Sequence, residues 1–150
     1  MSSIIDDIYT IHYNPFKYGD YIASFYNNLE PKENNLLLSQ LVIPLCSHPI
    51  FSQRLKNIKK NSTLWTIFKK REDFFDLQER IDEFKNLTEQ TIYYCLANEW
   101  LDFNSDNLTL IFNTYNNQSF VVQKNATLLA RLLSDYSVVE IYDFLGVQPR

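Results

Sequence analysis

The chain has 150 residues, of which 45% are hydrophobic and 21% charged, with a formal net charge of −4. This length and composition predict one globular domain, and the negative charge excludes a general electrostatic attraction to nucleic acid or acidic membranes. Only two glycines occur, which argues against a glycine-rich phosphate loop. The composition therefore favours helices joined by Asn- and Pro-containing turns.

The cysteines and the apolar runs bear on cellular location. Cys46 and Cys95 form no CxxC pair, so we expect reduced thiols in the core. Residues 1–7 carry acids and no basic stretch, which argues against a signal peptide. The longest apolar run, residues 36–46, is far shorter than the roughly 18 to 20 residues that cross a bilayer. We therefore expect a soluble, cytoplasmic protein that does not contact membranes.

The first part of the chain predicts helices. Residues 4–13 fit the periods of both a helix and a strand, and both interpretations stay open. Asn14 and Pro15 predict a helix start, because asparagine is a favoured N-cap and proline is tolerated in the first turn. The almost continuously apolar residues 32–46 predict the central core helix, in which Pro44 imposes a kink or an end.

Further short helices are predicted before residue 86. His48 and Pro49 open a segment in which residues 50–70 predict two short helices, the second capped by Ser62. Apolar residues from 74 to 84 then recur at spacings of 3 and 4, and acids occupy the positions between them. This pattern predicts another helix with an acidic outer face.

Residues 86–112 predict a helix that leads directly into a β-hairpin. Asn86 and Thr88 are capping-type residues, and apolar positions recur at helical spacing as far as Trp100. Two short apolar stretches separated by residues 104–107 follow. We therefore predict a mainly α protein, a single compact helical domain over residues 1–150, with a winged-helix-like helix plus β-hairpin element.

The last part of the chain predicts two helices. Asn125 is a candidate cap of a leucine-rich helix. Ser137 and Glu140 have the spacing of a capping box and open a last short helix. Gly146 then serves as its C-cap and Pro149 as a stop.

Residue types that carry catalysis are sparse. His12 and His48 have no acid or cysteine at metal-ligand spacing, and the adjacent acid pairs would point to different faces of a helix. No nucleophile elbow, Walker lysine or dinucleotide fingerprint occurs. We therefore expect no catalytic residue, no cofactor and no metal site. An enzyme would need His12 or His48 to meet a carboxylate or thiol in space.

One stretch of the chain concentrates basic charge. Seven of the fourteen basic residues lie between positions 54 and 71, with no acid among them. Local basic charge binds phosphates whatever the net charge is, so the stretch predicts contact with DNA or with an acidic partner. A solvated face of two short helices fits the same pattern. The seven are Arg54, Lys56, Lys59, Lys60, Lys69, Lys70 and Arg71.

The predicted winged helix lacks the residues that read DNA. Residues 88–100 contain two acids and no lysine or arginine, and the hairpin turn is also without basic residues. A helix in the major groove usually supplies Arg, Lys, Asn or Gln to base edges between two rows of phosphates. Protein binding is therefore the better use of this element. The alternative is a stand-alone winged-helix DNA-binding regulator.

Several short strings carry a family resemblance. They include Leu41-Val-Ile-Pro-Leu45, Ser62-Thr-Leu-Trp65 and Leu145-Gly-Val-Gln-Pro149. In the order of the chain they resemble strings of the middle components of bacterial three-component ABC-ATPase conflict systems, which include the small subunit of Lamassu-type anti-phage defence. The chain departs from the family at Gln148, where arginine is usual. The residues that carry the resemblance are Asn14, Pro15, Pro44, His48, Pro49, Trp65, Gly146 and Pro149.

The resemblance implies partners. It implies a non-catalytic accessory subunit that binds an SMC- or Rad50-like ABC ATPase and links it to an effector, often a nuclease. ATP and Mg would belong to the partner ATPase. The complex would sense aberrant or foreign DNA and release the effector, and the basic stretch would touch DNA held by the ATPase.

Overall fold

The computed structural model describes residues 14–115 and 119–150, so the segment 4–13, for which the sequence fits both a helix and a strand, lies outside the described residues. Short 3-10 helices, Asn35–Leu38 and Arg71–Phe74, lie between the longer elements. The described helices and strands are α1 (Pro15–Asn28), α2 (Ser39–Cys46), α3 (Pro49–Lys56), α4 (Leu64–Ile67), α5 (Leu77–Ala97), β1 (Leu101–Asn104), β2 (Thr109–Phe112), α6 (Lys124–Leu133) and α7 (Val138–Leu145). The mainly α prediction is confirmed.

Helix α2 is the centre of the core, as the sequence predicts. Leu41, Val42, Ile43 and Leu45 are fully buried, and α2 packs against α1, α5 and α6. The helix ends at Cys46, two residues after Pro44. It begins later than predicted, because residues 32–34 are not helical and Asn34 adopts a left-handed conformation with φ 61°.

Helix α1 begins as the sequence predicts. The Asn14 side chain accepts a hydrogen bond from the Phe16 N–H at 2.9 Å. Gly19 allows α1 to approach α5 closely, because a Cβ at this position would lie 2.7 Å from the Tyr94 ring and 3.4 Å from Trp100. The position of α5, and with it the hairpin, is therefore set partly by a missing side chain.

Helix α5 is one continuous element, and the prediction of two helices divided near residue 86 is wrong. Asn86 and Thr88 cap nothing and lie inside the helix. The buried side chains of Leu87 and Thr91 continue the inner stripe across the expected break. A capping-type residue ends a helix only where the apolar pattern also ends, and here the pattern continues.

The other predicted caps have mixed outcomes. Ser137 accepts a hydrogen bond from the Glu140 N–H at 3.1 Å, and Gly146 has φ 68°, as expected for a C-cap. Thr63, and not Ser62, caps α4. Asn125 lies inside the first turn of α6, whose N-cap residue makes no side-chain cap hydrogen bond.

The hairpin follows α5 directly, as predicted. Leu101 pairs with Phe112 and Asn104 with Thr109 in an antiparallel register. The Asn35 side chain makes the pair of main-chain hydrogen bonds to β2 that a neighbouring strand would make. Its Oδ1 accepts from the Leu110 N–H at 2.7 Å, and its Nδ2 donates to the Leu110 carbonyl at 3.1 Å. The hairpin is therefore fixed to the 3-10 helix Asn35–Leu38, which precedes α2, as well as to α5.

Two glutamines hold residues 147–150 in the same way. The Gln78 amide accepts from the Gln148 N–H at 2.8 Å and donates to its carbonyl at 3.1 Å. The Gln40 amide makes the equivalent pair with Arg150, at 2.7 and 2.6 Å. We call these two pairs the amide clamps. They attach residues 147–150 to α2 and α5 at once.

Both cysteines lie in the core, as the sequence predicts. Cys46 and Cys95 are both free and buried, and burial raises the pKa of Cys95 to about 12. In the described ranges, no single helix is long and apolar enough to span a membrane. Asn35–Cys46 and Pro49–Lys56 pass that test only together, and they meet at an angle of 97°.

Candidate interaction surfaces

An apolar groove of about 260 Å³ lies between the second half of α5 and the hairpin. Helix α5 lines it with residues spaced by 3 and 4, which places them on one face. Two aromatic side chains in it remain in contact with water, since Tyr93 is 71% exposed and Phe103 is 46% exposed. We call it the helix–hairpin groove. It is lined by Leu36, Glu89, Ile92, Tyr93, Leu96, Phe103 and Leu110.

The chain segment that forms most of the helix–hairpin groove carries only negative formal charge. No lysine or arginine occurs from residue 86 to residue 123. Glu89, Asp102 and Asp106 are exposed on α5 and the hairpin. This surface would repel a phosphate backbone. Its exposed aromatic side chains are of the kind enriched at protein interfaces, where charged residues form the rim.

A larger cleft of about 500 Å³ lies on the other side of the hairpin. Several of its polar side chains serve the fold. The Lys32 ammonium donates to the carbonyls of Leu133 at 2.9 Å and Ser134 at 3.0 Å, and also to that of Tyr136, so it caps the end of α6. The Tyr26 hydroxyl donates to the Asn35 carbonyl at 2.7 Å. These groups stabilise the packing of the hairpin and of α6.

His48 lies close to a carboxylate, as an enzyme that used this histidine would require. Its Nε2 lies 3.3 Å from Oδ1 of Asp76, and its Nδ1 accepts from the Ile50 N–H at 3.1 Å. A neutral ring that accepts at Nδ1 carries its proton on Nε2, so it donates to Asp76 and neither nitrogen remains available as a base. The side chain is 5% exposed and caps α3. His12 lies outside the described residues.

The residues of the basic stretch have different surroundings in the fold. Arg54 is bound within the fold: it pairs with Asp73, donates to the Ile67 carbonyl at 3.2 Å and lies over the Phe51 ring. The other six are exposed. Lys59 and Lys60 line a hollow against α6, and Lys56 lines a second hollow at the start of α6. Lys69, Lys70 and Arg71 line neither of these hollows.

A family model covers nearly the whole chain. The model described as ABC-three component (ABC-3C) system Middle Component 3 matches residues 2–149. The chain belongs to this family. Comparison with curated proteins and with solved structures finds no match. The resemblance to middle components is confirmed, and a middle component of a system of several components has partner proteins.

Most of the residues that carry the resemblance shape the backbone of this middle component. Asn14 and His48 cap helices, and each is followed by a proline in the first turn. The Pro44 carbonyl accepts two hydrogen bonds from the Arg80 guanidinium, at 3.1 and 3.3 Å. Gly146 supplies the left-handed C-cap of α7. Pro149 lies between Gln148 and Arg150, the two residues that the amide clamps hold.

Trp65 is the exception among these residues. It is 63% exposed and makes an edge contact with the Phe144 ring at 5.8 Å. An exposed tryptophan is a common anchor of protein interfaces. Sequence reasoning identified Trp65 but missed the residues of the helix–hairpin groove. The spacing of Glu89, Ile92, Tyr93 and Leu96 was the available signal for that groove.

Proposed function

We propose that this middle component is a non-catalytic accessory subunit of an SMC- or Rad50-like ABC ATPase complex in Lamassu-type anti-phage defence. It acts in the cytoplasm and links the ATPase to an effector, often a nuclease. ATP and Mg are bound by the ATPase. The observation that carries the proposal is the helix–hairpin groove, which combines exposed aromatic side chains with a lining whose one charged residue is Glu89.

The occupant of the helix–hairpin groove is an apolar segment of the ATPase subunit with basic residues beside it. Tyr93 and Phe103 lose their contact with water when such a segment binds, and burial of aromatic side chains dominates the energetics of many interfaces. The carboxylates of Glu89, Asp102 and Asp106 complement basic residues at the rim. The winged-helix-like element thus serves protein binding.

The absence of catalysis by this chain is part of the proposal. The His48 ring is buried and both of its nitrogens are engaged, so it supports α3 and is not placed to move a proton of a substrate. Substitution of His48 should therefore lower the stability of the chain without removing a chemical step from the assembled system. A rate measurement on the assembled ATPase and effector with a folded His48→Gln chain tests this.

Assembly is the direct test of the proposed function. The tagged chain is co-expressed with the products of its neighbouring genes, and the mass of the purified material is determined by light scattering. A stoichiometric complex with a long coiled-coil ATPase supports the proposal. Elution of the chain alone contradicts it, and the isolated chain is then tested for duplex DNA binding as a stand-alone regulator.

A further inference from the structure

We propose that the connection between α3 and α4, together with α6, forms a groove that binds the phosphate backbone of duplex DNA. We call it the composite basic groove, and its cations are Lys56, Lys59, Lys60, Lys124 and Arg131. The inference extends the proposed function, because the DNA is that handled by the assembled complex. It differs from the sequence-predicted stretch by gaining two cations from α6 and losing four residues of the original run.

The fold brings these cations together from distant parts of the chain. Helix α3 packs against α6. Lys59, Lys60 and Arg131 line one hollow of about 440 Å³. Lys56 and Lys124 line a second hollow of about 480 Å³ at the start of α6. All five are exposed, and within the two described ranges none of them forms a salt bridge.

Few negative charges oppose these cations. Asp135 lines the first hollow, four residues after Arg131 on the chain. Its charge also acts on the Lys32 ammonium, which caps α6 nearby. The two hollows therefore hold five cations against one carboxylate that is shared with a further cation.

The spacing of the cations suits a duplex. Lys124 and Arg131 are seven residues apart on α6, which corresponds to about 10 Å along the helix axis. Duplex DNA carries about six phosphate charges over that distance. The aromatic side chains in the walls, Tyr21 and Tyr136, are both half-buried, so the groove has no exposed platform on which unpaired bases would stack. These features favour the backbone of a duplex over a single strand.

The test compares two triple variants that remove the same charge. The groove variant is Lys59→Gln/Lys124→Gln/Arg131→Gln, and the control is Lys69→Gln/Lys70→Gln/Arg71→Gln. Light scattering measures assembly with the ATPase, and a titration with labelled duplex measures DNA binding by the same complex from roughly 50 to 200 mM salt. The groove variant should assemble normally, bind more weakly and show a salt slope smaller by about 2.7, while the control leaves the slope unchanged.

Three results would overturn the inference. The first is an unchanged salt slope in a normally assembled groove variant. The second is loss of slope in the control alone. The third is a groove variant that melts like the parent chain but no longer assembles, which would assign the groove to an acidic protein surface. If the parent chain forms no complex, the proposed function fails, and the same titration on the isolated chain decides the groove alone, with absence of binding counting against it.

Discussion

The helix–hairpin groove and the composite basic groove differ in chemistry, although the elements that line them pack around the same core. The first is apolar and aromatic, and the one charged residue in its lining is Glu89. The second holds five cations. The net charge of −4 does not reveal this difference. From the difference we infer that the first groove suits a protein partner and the second an anionic one.

The largest expected effect lies in the helix–hairpin groove. Replacing both Tyr93 and Phe103 by alanine removes the two exposed aromatic anchors, so the ATPase complex should be weakened by about 4 kcal/mol. Binding of the variant to the ATPase, measured by calorimetry, checks this. Phe75→Ala is the matched control, because Phe75 is 85% exposed and lies outside the groove. Equal losses in both variants would remove the distinction between this groove and the rest of the surface.

A substitution in α1 should disturb the packing of α5, which lines the helix–hairpin groove. Gly19→Ala adds a Cβ 2.7 Å from the Tyr94 ring, and that ring is held between Phe16 and Trp100. We expect the free energy of unfolding to fall by about 1 to 3 kcal/mol. Urea denaturation measures the loss. Asn27→Ala, at an exposed position of the same helix, should change stability by no more than about 0.5 kcal/mol.

The next expected effect concerns Lys32, which stabilises α6, one wall of the composite basic groove. Lys32→Met leaves the carbonyls at the end of α6 without their donor, so we expect a loss of about 1 to 3 kcal/mol in the free energy of unfolding. Lys70→Met removes an exposed lysine and should be nearly neutral. A Lys32→Met chain as stable as the parent would show that water replaces the ammonium and that α6 needs no such cap.

Local signals predicted much of the fold, while long-range pairings escaped the sequence. Asn14, Ser137 and Gly146 act through neighbours within four residues, so their roles could be predicted. The composite basic groove depends on α6 packing against α3, and no periodicity in the sequence encodes which helices pack together. The pairing of Arg54 with Asp73 also escaped the sequence, because it exists only after α3 and the second 3-10 helix meet.

The smallest expected effect is on the stability of the chain in acid, through the pair formed by Arg150 and Asp82. The hydrogen bond from Arg150 to Asp82, at 2.9 Å, holds the pKa of that carboxyl below its ordinary value of 3.8. A lowered folded pKa gives stability that is present above about pH 4 and is lost as the pH falls. Asp82→Asn should therefore reduce the difference in melting temperature between neutral and acidic solution. An identical difference in both chains would show that the pair contributes nothing measurable.

The amide clamps make the fold insensitive to the side chain at residue 148. Gln78 binds the main-chain N–H and carbonyl of residue 148. Every amino acid except proline offers those two groups. Residue 148 is therefore recognised by its position and not by its identity. A substitution at this site keeps the hydrogen bonds that hold residues 147–150 on α2 and α5. The side chain of residue 148 can therefore change without loss of this attachment.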